Sequence, residues 1–377
     1  MAILAMRRLW PFRLRYPEDN LTIQENVALA PLTTFKIGGP ARYFADCATE
    51  SDVQDAVAYS KERSLPLFVL GGGSNIVVAD EGWPGMVLKV SIKGIQETQR
   101  GFFRVGAGED WDAFVAHAIK ENYAGIECLS GIPGTVGGTP VQNVGAYGQE
   151  VSETLVYVRV LELASGKIIE LNKSECGFSY RKSIFNSTHR GRYIVLWVVY
   201  QLVKEGVPRT DYADVKNYFA GTTASPTLQQ VRDAVRAIRQ SKAMLIVEGD
   251  EDCRSAGSFF KNPLVKPSDA DRIDALAREK VPDKILLRYP APDGLVKLPA
   301  AWLVEQAGFR KGYARGRVGI SRKHSLAIVN RGGATAKDIL AFKDEIQNRV
   351  LEVWGIELQP EPVFIGIPSH PESDRAR

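Results

Sequence analysis

The sequence predicts an α+β protein of more than one domain, and three observations carry that expectation. The chain has 377 residues, and about 150 residues per domain gives two or three domains. Its first half alternates strand-like and helix-like runs, then turns to strands alone between 155 and 203. Its last third is dominated by helical patterns, with one clear strand at 325–330. A chain of this length buries several cores without disulfide or metal staples.

Taken in order, Ala41 to Ala45 reads as a strand. Ser51 or Asp52 is placed to cap a helix with Val53, Ala56, Val57 and Ser60 on one face, which is helical spacing. Pro66 stops that helix, LFVL at 67–70 is a buried strand, and GGGSN at 71–75 is a turn that glycines allow. MVLKV at 86–90 is the next strand. Residues 109–120 form a second amphipathic helix with Trp111, Phe114, Val115, Ala118 and Ile119 on one side. His117 lies on this helix and reads as structural or exposed. Strands follow in VYVRVLEL, KIIEL and YIVLWVVYQLV, then a helix over 227–241 with Leu228, Val231, Val235 and Ile238 inward. Further helices are predicted at 268–280, 299–308 and 335–350, the last opened by a capping box of Thr335 and Asp338. The stretch 240–257 reads as a domain boundary and a mobile connection.

Composition excludes several classes. Basic residues number 48 and acidic residues 44, a net charge of +4. Near balance favours solubility and argues against a dedicated nucleic-acid surface. Apolar residues at 45% and charged residues at 24% are ordinary for a globular protein. Cys47, Cys128, Cys176 and Cys253 are far apart with no CxxC pair, so neither a disulfide scaffold nor a zinc ribbon is expected. His117, His189, His324 and His370 are equally scattered, and no metal site is expected. The longest nearly uninterrupted apolar run, Tyr193 to Val203, falls short of the roughly 20 residues that span a bilayer. At the N-terminus, Arg7, Arg8, Arg13 and Arg15 follow a short apolar start, and Pro11 breaks any helix. That is the reverse of a signal peptide. Residues 1–20 read as a frayed extension or a weak surface-binding arm, residues 369–377 as a loose tail, and the protein as cytoplasmic.

The densest chemical signal is GIPGTVGGTPVQNVGAYG, residues 131–148, where six of 18 residues are glycine against 34 in the whole chain. Such a run exposes successive backbone N–H groups, as a pyrophosphate requires. GGGSN and Gly38–Gly39 add two more glycine turns in the same half. Neither GxGxxG nor GxxxxGK[ST] is present, so a standard Rossmann or P-loop site is excluded. The residues alone point to a phosphate-bearing cofactor lying across several loops.

PLTTFKIGGPA, LGGGSNIVV, GIPGTVGGTPVQNVGAYG, CGFSYRKSIF, AGSFFKNP and LQPEPVFIG occur in this order. Together, over about residues 21–366, they resemble the UDP-N-acetylenolpyruvoylglucosamine reductases, also called UDP-N-acetylmuramate dehydrogenases. The resemblance implies the two-lobed FAD-binding fold of the p-cresol methylhydroxylase type, followed by a smaller α+β substrate-binding domain. FAD-binding lobes are then expected at 21–91 and 92–240, the substrate domain at 241–357, and a returning segment at 358–368. It further implies NADPH as reductant, UDP-N-acetylglucosamine enolpyruvate as substrate, a role in peptidoglycan precursor synthesis, and a monomer. By the same matching the FAD contacts are Gly71, Gly72, Gly73, Ser74, Asn75, Ile132, Gly137, Gly138, Thr139, Asn143, Gly145 and Ala146.

The reaction this family performs has definite needs. Hydride adds at the terminal alkene carbon, so negative charge develops on the adjacent carbon and spreads into the carboxylate. A fixed cation and hydrogen-bond donors must meet that charge, and an acid must protonate the carbanionic carbon. Arg181 in SYRKS matches the family's catalytic arginine, whose guanidinium grips a carboxylate with two bonds. Glu361 in QPEPV matches its glutamate, and Ser258 in AGSFFKNP its proton donor. Tyr180, Tyr212, Arg239, Lys242, Asn262, Tyr289, Lys297 and His324 match substrate-contacting positions, with Tyr289 on a lobe that closes over the substrate. Lysine and arginine suit a diphosphate, and tyrosine suits the sugar or base. The connection from Lys242 to Ser258 departs from the commoner pattern: it is long and acidic, with Glu248, Asp250, Glu251 and Asp252.

Three other readings compete. A flavin-dependent oxidase of the same fold would act on another alcohol or sugar, and several such enzymes hold flavin through histidine. Here the early histidine is His117, outside the glycine loops. A non-catalytic nucleotide binder would have lost Arg181, Ser258 or Glu361. A membrane- or RNA-binding module would rest on four N-terminal arginines alone.

Overall fold

A computed structural model describes residues 13–14 and 21–368. The N-terminal arginines other than Arg13, the C-terminal tail and His370 lie outside the described residues. Arg13–Leu14 pairs antiparallel with Ile23–Gln24.

The first half is built on two five-stranded sheets. One runs in the order Arg13–Leu14, Ile23–Ala28, Pro40–Cys47, Trp83–Val90, Leu67–Leu70. Its last three strands are parallel neighbours, joined through the crossover helix Glu50–Glu62. The other is antiparallel throughout, in the order Ile168–Asn172, Leu155–Glu162, Tyr193–Gln201, Phe102–Gly106, Ile95–Gln99. Both sheets feed one hydrophobic core, in which Met86 and Leu88 of the first meet Phe103, Val105, Val158 and Val198 of the second. Trp111 and Phe114, from the helix Trp111–Lys120, fill its centre with Tyr200. The parallel strands read as near-continuous apolar runs because both faces are covered.

The last third has a separate core. Helices Pro267–Lys280, Ala300–Gln306 and Ala336–Trp354 bury Ile273, Leu303, Phe342, Ile346 and Trp354 against the short strands Val318–Ile320 and Ile328–Asn330. Phe35, Ile37 and Val77 of the first half join this core, so the halves share apolar contact. The chain finally returns: Val363–Ile365 pairs in parallel with Ile76–Val78.

Local signals mostly set these elements, and the differences have causes. The crossover helix is capped by Thr49, not by Ser51 or Asp52. The Thr49 hydroxyl accepts from Asp52 N, while the Asp52 carboxylate accepts from Ala48 N and Thr49 N. Asp52 is thus the reciprocal member of a capping box. Only Ile328–Asn330 of the strand expected at 325–330 is extended into the sheet. The residues before it turn, with Ala327 N donating to His324 O and Ser321 N to Ala327 O. The Thr335–Asp338 box forms as expected, and its helix runs on to Trp354, stopped by Gly355 in the left-handed region. The stretch 240–257 is not a free connection. Asp250 pairs with Lys323 and Asp252 with Arg322, and Arg254 O accepts from Asn330 N. No helix among the described residues is long and apolar enough to cross a membrane.

Candidate active site

Backbone pairing brings Ser258 and Glu361 together. Phe260 bridges Pro360, Glu361 N donates to Phe259 O at 2.8 Å and Lys261 N to Gln359 O at 2.9 Å. Pro360 and Pro362 keep the glutamate extended. On its other side Val363 N donates to Asn75 O at 2.9 Å, and Asn75 Nδ2 lies 2.7 Å from Gln142 Oε1 and 3.4 Å from Glu361 O. The returning segment is therefore stitched to the Ser258 segment on one side and to the first glycine turn on the other.

Arg181 enters from the second glycine loop's neighbourhood. Its φ is 55°, a left-handed conformation that costs a non-glycine residue on the order of 1–3 kcal/mol. The turn is held by the Ser179–Lys182 backbone pair, by Asn186 Nδ2 donating to Arg181 O at 3.1 Å and by Asn143 Nδ2 donating to Ser179 O at 3.2 Å. Ser183 Oγ adds a bond to Val141 O at 2.6 Å. So held, Arg181 Nε sits 3.5 Å from Glu361 Oε1, and this Nε is buried with no hydrogen-bond partner among the described residues. A buried donor left unpaired costs about 1–3 kcal/mol. The arrangement makes sense if a bound oxyanion completes it.

The substrate-matching residues surround this point. Lys297 Nζ lies 5.5 Å from the Tyr180 ring centroid and 5.8 Å from that of Tyr289, and Tyr289 pairs with Lys297 across a small sheet. Burial raises the Tyr180 phenol above its usual range, against the opposing charge of Arg181. Tyr212 meets Tyr147 edge to face at 5.5 Å. Lys242 bonds Asp214 at 2.6 Å. Asn262 Oδ1 accepts from Ala300 N at 2.9 Å. Arg239 donates to Gly131 O and Met244 O, which pins the start of the glycine loop. Ser258 Oγ and His324 Nε2 are 3.1 Å apart. Burial, helped by the positive fields of Lys242, Lys311 and Arg239, pushes the His324 imidazole down to about 4. It is therefore neutral near pH 7, and the same three cations mark a place where negative charge is welcome.

The glycine turns form a cradle. A cavity of about 550 Å³ is walled by Gly72, Gly131, Ile132, Pro133, Gly134 and Thr135, with Lys89, Lys93 and Arg236 at its side. A Cβ on Gly72 would stand 2.5 Å from Gly134 Cα, and one on Gly73, at φ 64°, 2.0 Å from Leu32 O. The loops touch backbone to backbone at Gly72 and Gly134, and with no side chains in the way a pyrophosphate can approach their main chain closely. Several matched residues serve the cradle from within. Thr139 Oγ1 bonds Val136 O and Tyr200 OH, Ser74 Oγ bonds Pro133 O, and Asn143 spends its amide on Glu150, Ser179 and Ser152. Gly145–Ala146 pairs with Gln149–Glu150. Gly137 packs on Ala107, while Gly138 faces open space. His117 is exposed, its ring edge-on to Phe103.

Sequence reasoning missed four contributors. Gln142 and Tyr147 lie inside the quoted glycine motif, so their proximity to Asn75 and Tyr212 was within reach. Lys311 carries no local signal. Asp112 looks like an ordinary helix carboxylate, yet it accepts from Gly131 N at 2.6 Å and from Arg232 at 2.6 and 2.9 Å, and also pairs with Arg236. Among the described residues no cluster of His, Cys, Asp and Glu could hold a metal ion.

Comparison with known proteins agrees with this geometry. Residues 41–172 match the FAD binding domain family, and residues 249–365 match the C-terminal domain of UDP-N-acetylenolpyruvoylglucosamine reductase. The enzyme of that name from Thermobifida fusca is 45% identical over 349 residues, covering 91% of this chain and 98% of the relative. A second from Corynebacterium glutamicum is 41% identical over 358 residues, covering 93% and 96%. The crystal structure of the reductase from Thermus caldophilus superposes with a TM-score of 0.61 at 27% identity, over 90% of this chain and 98% of that one. With the expected two-lobed FAD-binding fold and α+β C-terminal domain in place, the chain belongs to the UDP-N-acetylenolpyruvoylglucosamine reductase family.

Proposed function

We infer that this chain is an oxidoreductase that uses NADPH and FAD to reduce UDP-N-acetylglucosamine enolpyruvate to UDP-N-acetylmuramate in peptidoglycan precursor synthesis. The observation that carries the reading is the convergence of Arg181, Ser258 and Glu361 beside the glycine cradle, with the buried Arg181 Nε held in a 3.5 Å ion pair to Glu361 and lacking a hydrogen-bond partner among the described residues.

The cradle at 71–75 and 131–146, between segments 21–91 and 92–240, holds FAD, which when bound carries hydride from NADPH to the alkene. The UDP-sugar lies between that cradle and segment 241–357. Arg239, Lys242 and Lys311 face its diphosphate, and Tyr180, Tyr212 and Tyr289 cover the sugar or base, with Asn262 and Lys297 beside them. Arg181 meets the substrate carboxylate, where charge grows as hydride arrives; a guanidinium fixed in advance needs no reorganisation at that moment. Glu361, 3.5 Å from Arg181, orients the guanidinium and polarises the intermediate. Ser258 gives its hydroxyl proton to the carbanionic carbon; a serine is a weak acid, and exclusion of water makes the transfer feasible. The groups named here all belong to this chain, which is in keeping with a monomer. Four free, buried cysteines suit a reducing, cytoplasmic compartment.

Ser258→Ala tests the assignment in single turnover. Flavin reduction by NADPH should stay near the parent rate, and flavin reoxidation by the enolpyruvyl sugar should fall by about 10²–10⁴, the usual worth of a positioned acid. Equal loss in both half-reactions would contradict the role given to Ser258.

A further inference from the structure

The acidic connection ahead of Ser258 has a target. Asp252, with a side chain only 2% exposed, accepts from Arg322 N at 3.0 Å and from Arg322 Nε at 2.8 Å. Asp250 takes Lys323 Nζ at 2.6 Å. Lys323 N donates to Ser321 Oγ, and Ala327 N to His324 O. Two carboxylates therefore clasp the turn 321–324 from outside, by its backbone as well as by its charges. On the inner side of that turn His324 Nε2 lies 3.1 Å from Ser258 Oγ. Phe259 N, next to Ser258, donates to Leu326 O at 2.8 Å, so both ends of the Ser258–His324 contact are fixed by main chain. Arg322 itself is well exposed, which makes the buried carboxylate the fixed end of the clasp.

From this geometry we infer that His324 is a positioning residue for Ser258, donating Nε2–H to Oγ, and that Asp252 sets where His324 stands; the inference rests on Ser258 being the proton donor. A neutral imidazole carries one N–H. Spent on Oγ, it occupies a lone pair and leaves the serine hydrogen free to face the substrate. When the O–H bond breaks, the proton and the carbanion's electron pair form the new C–H bond. Oxygen keeps the O–H pair as an alkoxide, which the same Nε2–H stabilises. Solvent returns a proton to the alkoxide as product leaves. The low proton affinity of His324 keeps it the neutral single donor this needs. An imidazole accepting from Ser258 instead would turn the hydrogen away from the substrate and make the hydroxyl a poorer acid.

The test measures both half-reactions anaerobically, in FAD-loaded protein, for Asp252→Asn, His324→Ala and His324→Gln, each alone and combined with Ser258→Ala. Asp252→Asn and His324→Ala should slow flavin reoxidation by the enolpyruvyl sugar, His324→Ala by up to about 10²–10³, as loss of one donor to a developing oxyanion does. Flavin reduction by NADPH and FAD content should hold. His324→Gln, which leaves the clasp intact and offers a neutral amide N–H, should recover most of the rate. In the Ser258→Ala background none of the three should cost anything further, because they act through that hydroxyl. Multiplied losses in that background, equal loss in both half-reactions, or an unchanged reoxidation rate in His324→Ala would overturn the inference. If Ser258→Ala alone leaves reoxidation intact, the proton-donor assignment has failed, and the inference falls with it.

Discussion

The two sides of the site are built by opposite means. On the flavin side, glycine loops set position by backbone contact, with Gly72 against Gly134 and Gly73 against Leu32. On the other side, charged side chains set it at a distance: Asp252 on Arg322, Asp250 on Lys323, Lys242 on Asp214. At Gly72 and Gly73 the backbone cradle has no room for an added atom, and main-chain groups never titrate, which suits a cofactor that stays. Ion-pair clasps can open and re-form, which suits a substrate that comes and goes. The first kind should fail all at once when altered, the second by degrees.

Substitution tests that contrast in decreasing order of effect. Gly72→Val places branched carbon where Gly134 backbone already stands; the purified protein should lose its flavin absorbance entirely, and retention of FAD would show that the loops are not held as described. Asp112→Ala removes the carboxylate that joins Gly131 N to Arg232 and Arg236. The pair is partly exposed, so a loss of about 2 kcal/mol is expected, below the 3–5 kcal/mol of a fully buried one, read by denaturant unfolding together with weaker FAD binding. Asp80→Ala deletes a carboxylate that caps the helix Ala336–Trp354 from the other half of the molecule, through Ala336 N at 2.7 Å and Lys337 N at 3.2 Å. An N-cap is worth about 1 kcal/mol, and that loss should appear in unfolding of the C-terminal core without any change in FAD affinity.

A further effect appears as a pH dependence. His324 has an ordinary value of 6.5 and is held at about 4 in the fold, so on acidification the unfolded chain takes its proton first. The contribution is complete above pH 6.5 and is lost as pH falls from there toward 4. His324→Gln should therefore lose less melting temperature than the parent between pH 7 and pH 5. Parallel curves would mean that His324 is not held neutral.

What the sequence made legible follows the same division. The helices at 111–120, 228–241 and 336–354 were visible because their caps and apolar spacing are local. The glycine cradle was visible because its composition is unusual. Arg181, Ser258 and Glu361 were legible through the motifs that carry the family resemblance; taken singly, each resembles an ordinary surface or turn residue. The clasps were not visible. Asp252 and Arg322 are separated by 70 positions, and a carboxylate among acidic neighbours reads as solvated chain. Strand and turn at 324–330 were merged because the turn depends on Ser321 and His324 backbone bonds rather than on side-chain pattern. The start at Thr49 was misplaced because both members of a capping box look like caps.

The most direct test of the whole account is an anaerobic absorption titration of the purified protein. A yellow protein should bleach on adding NADPH and regain its colour on adding UDP-N-acetylglucosamine enolpyruvate, with one equivalent of UDP-N-acetylmuramate formed per flavin. A protein that bleaches and recovers only in air, or that takes up no FAD at all, would contradict it.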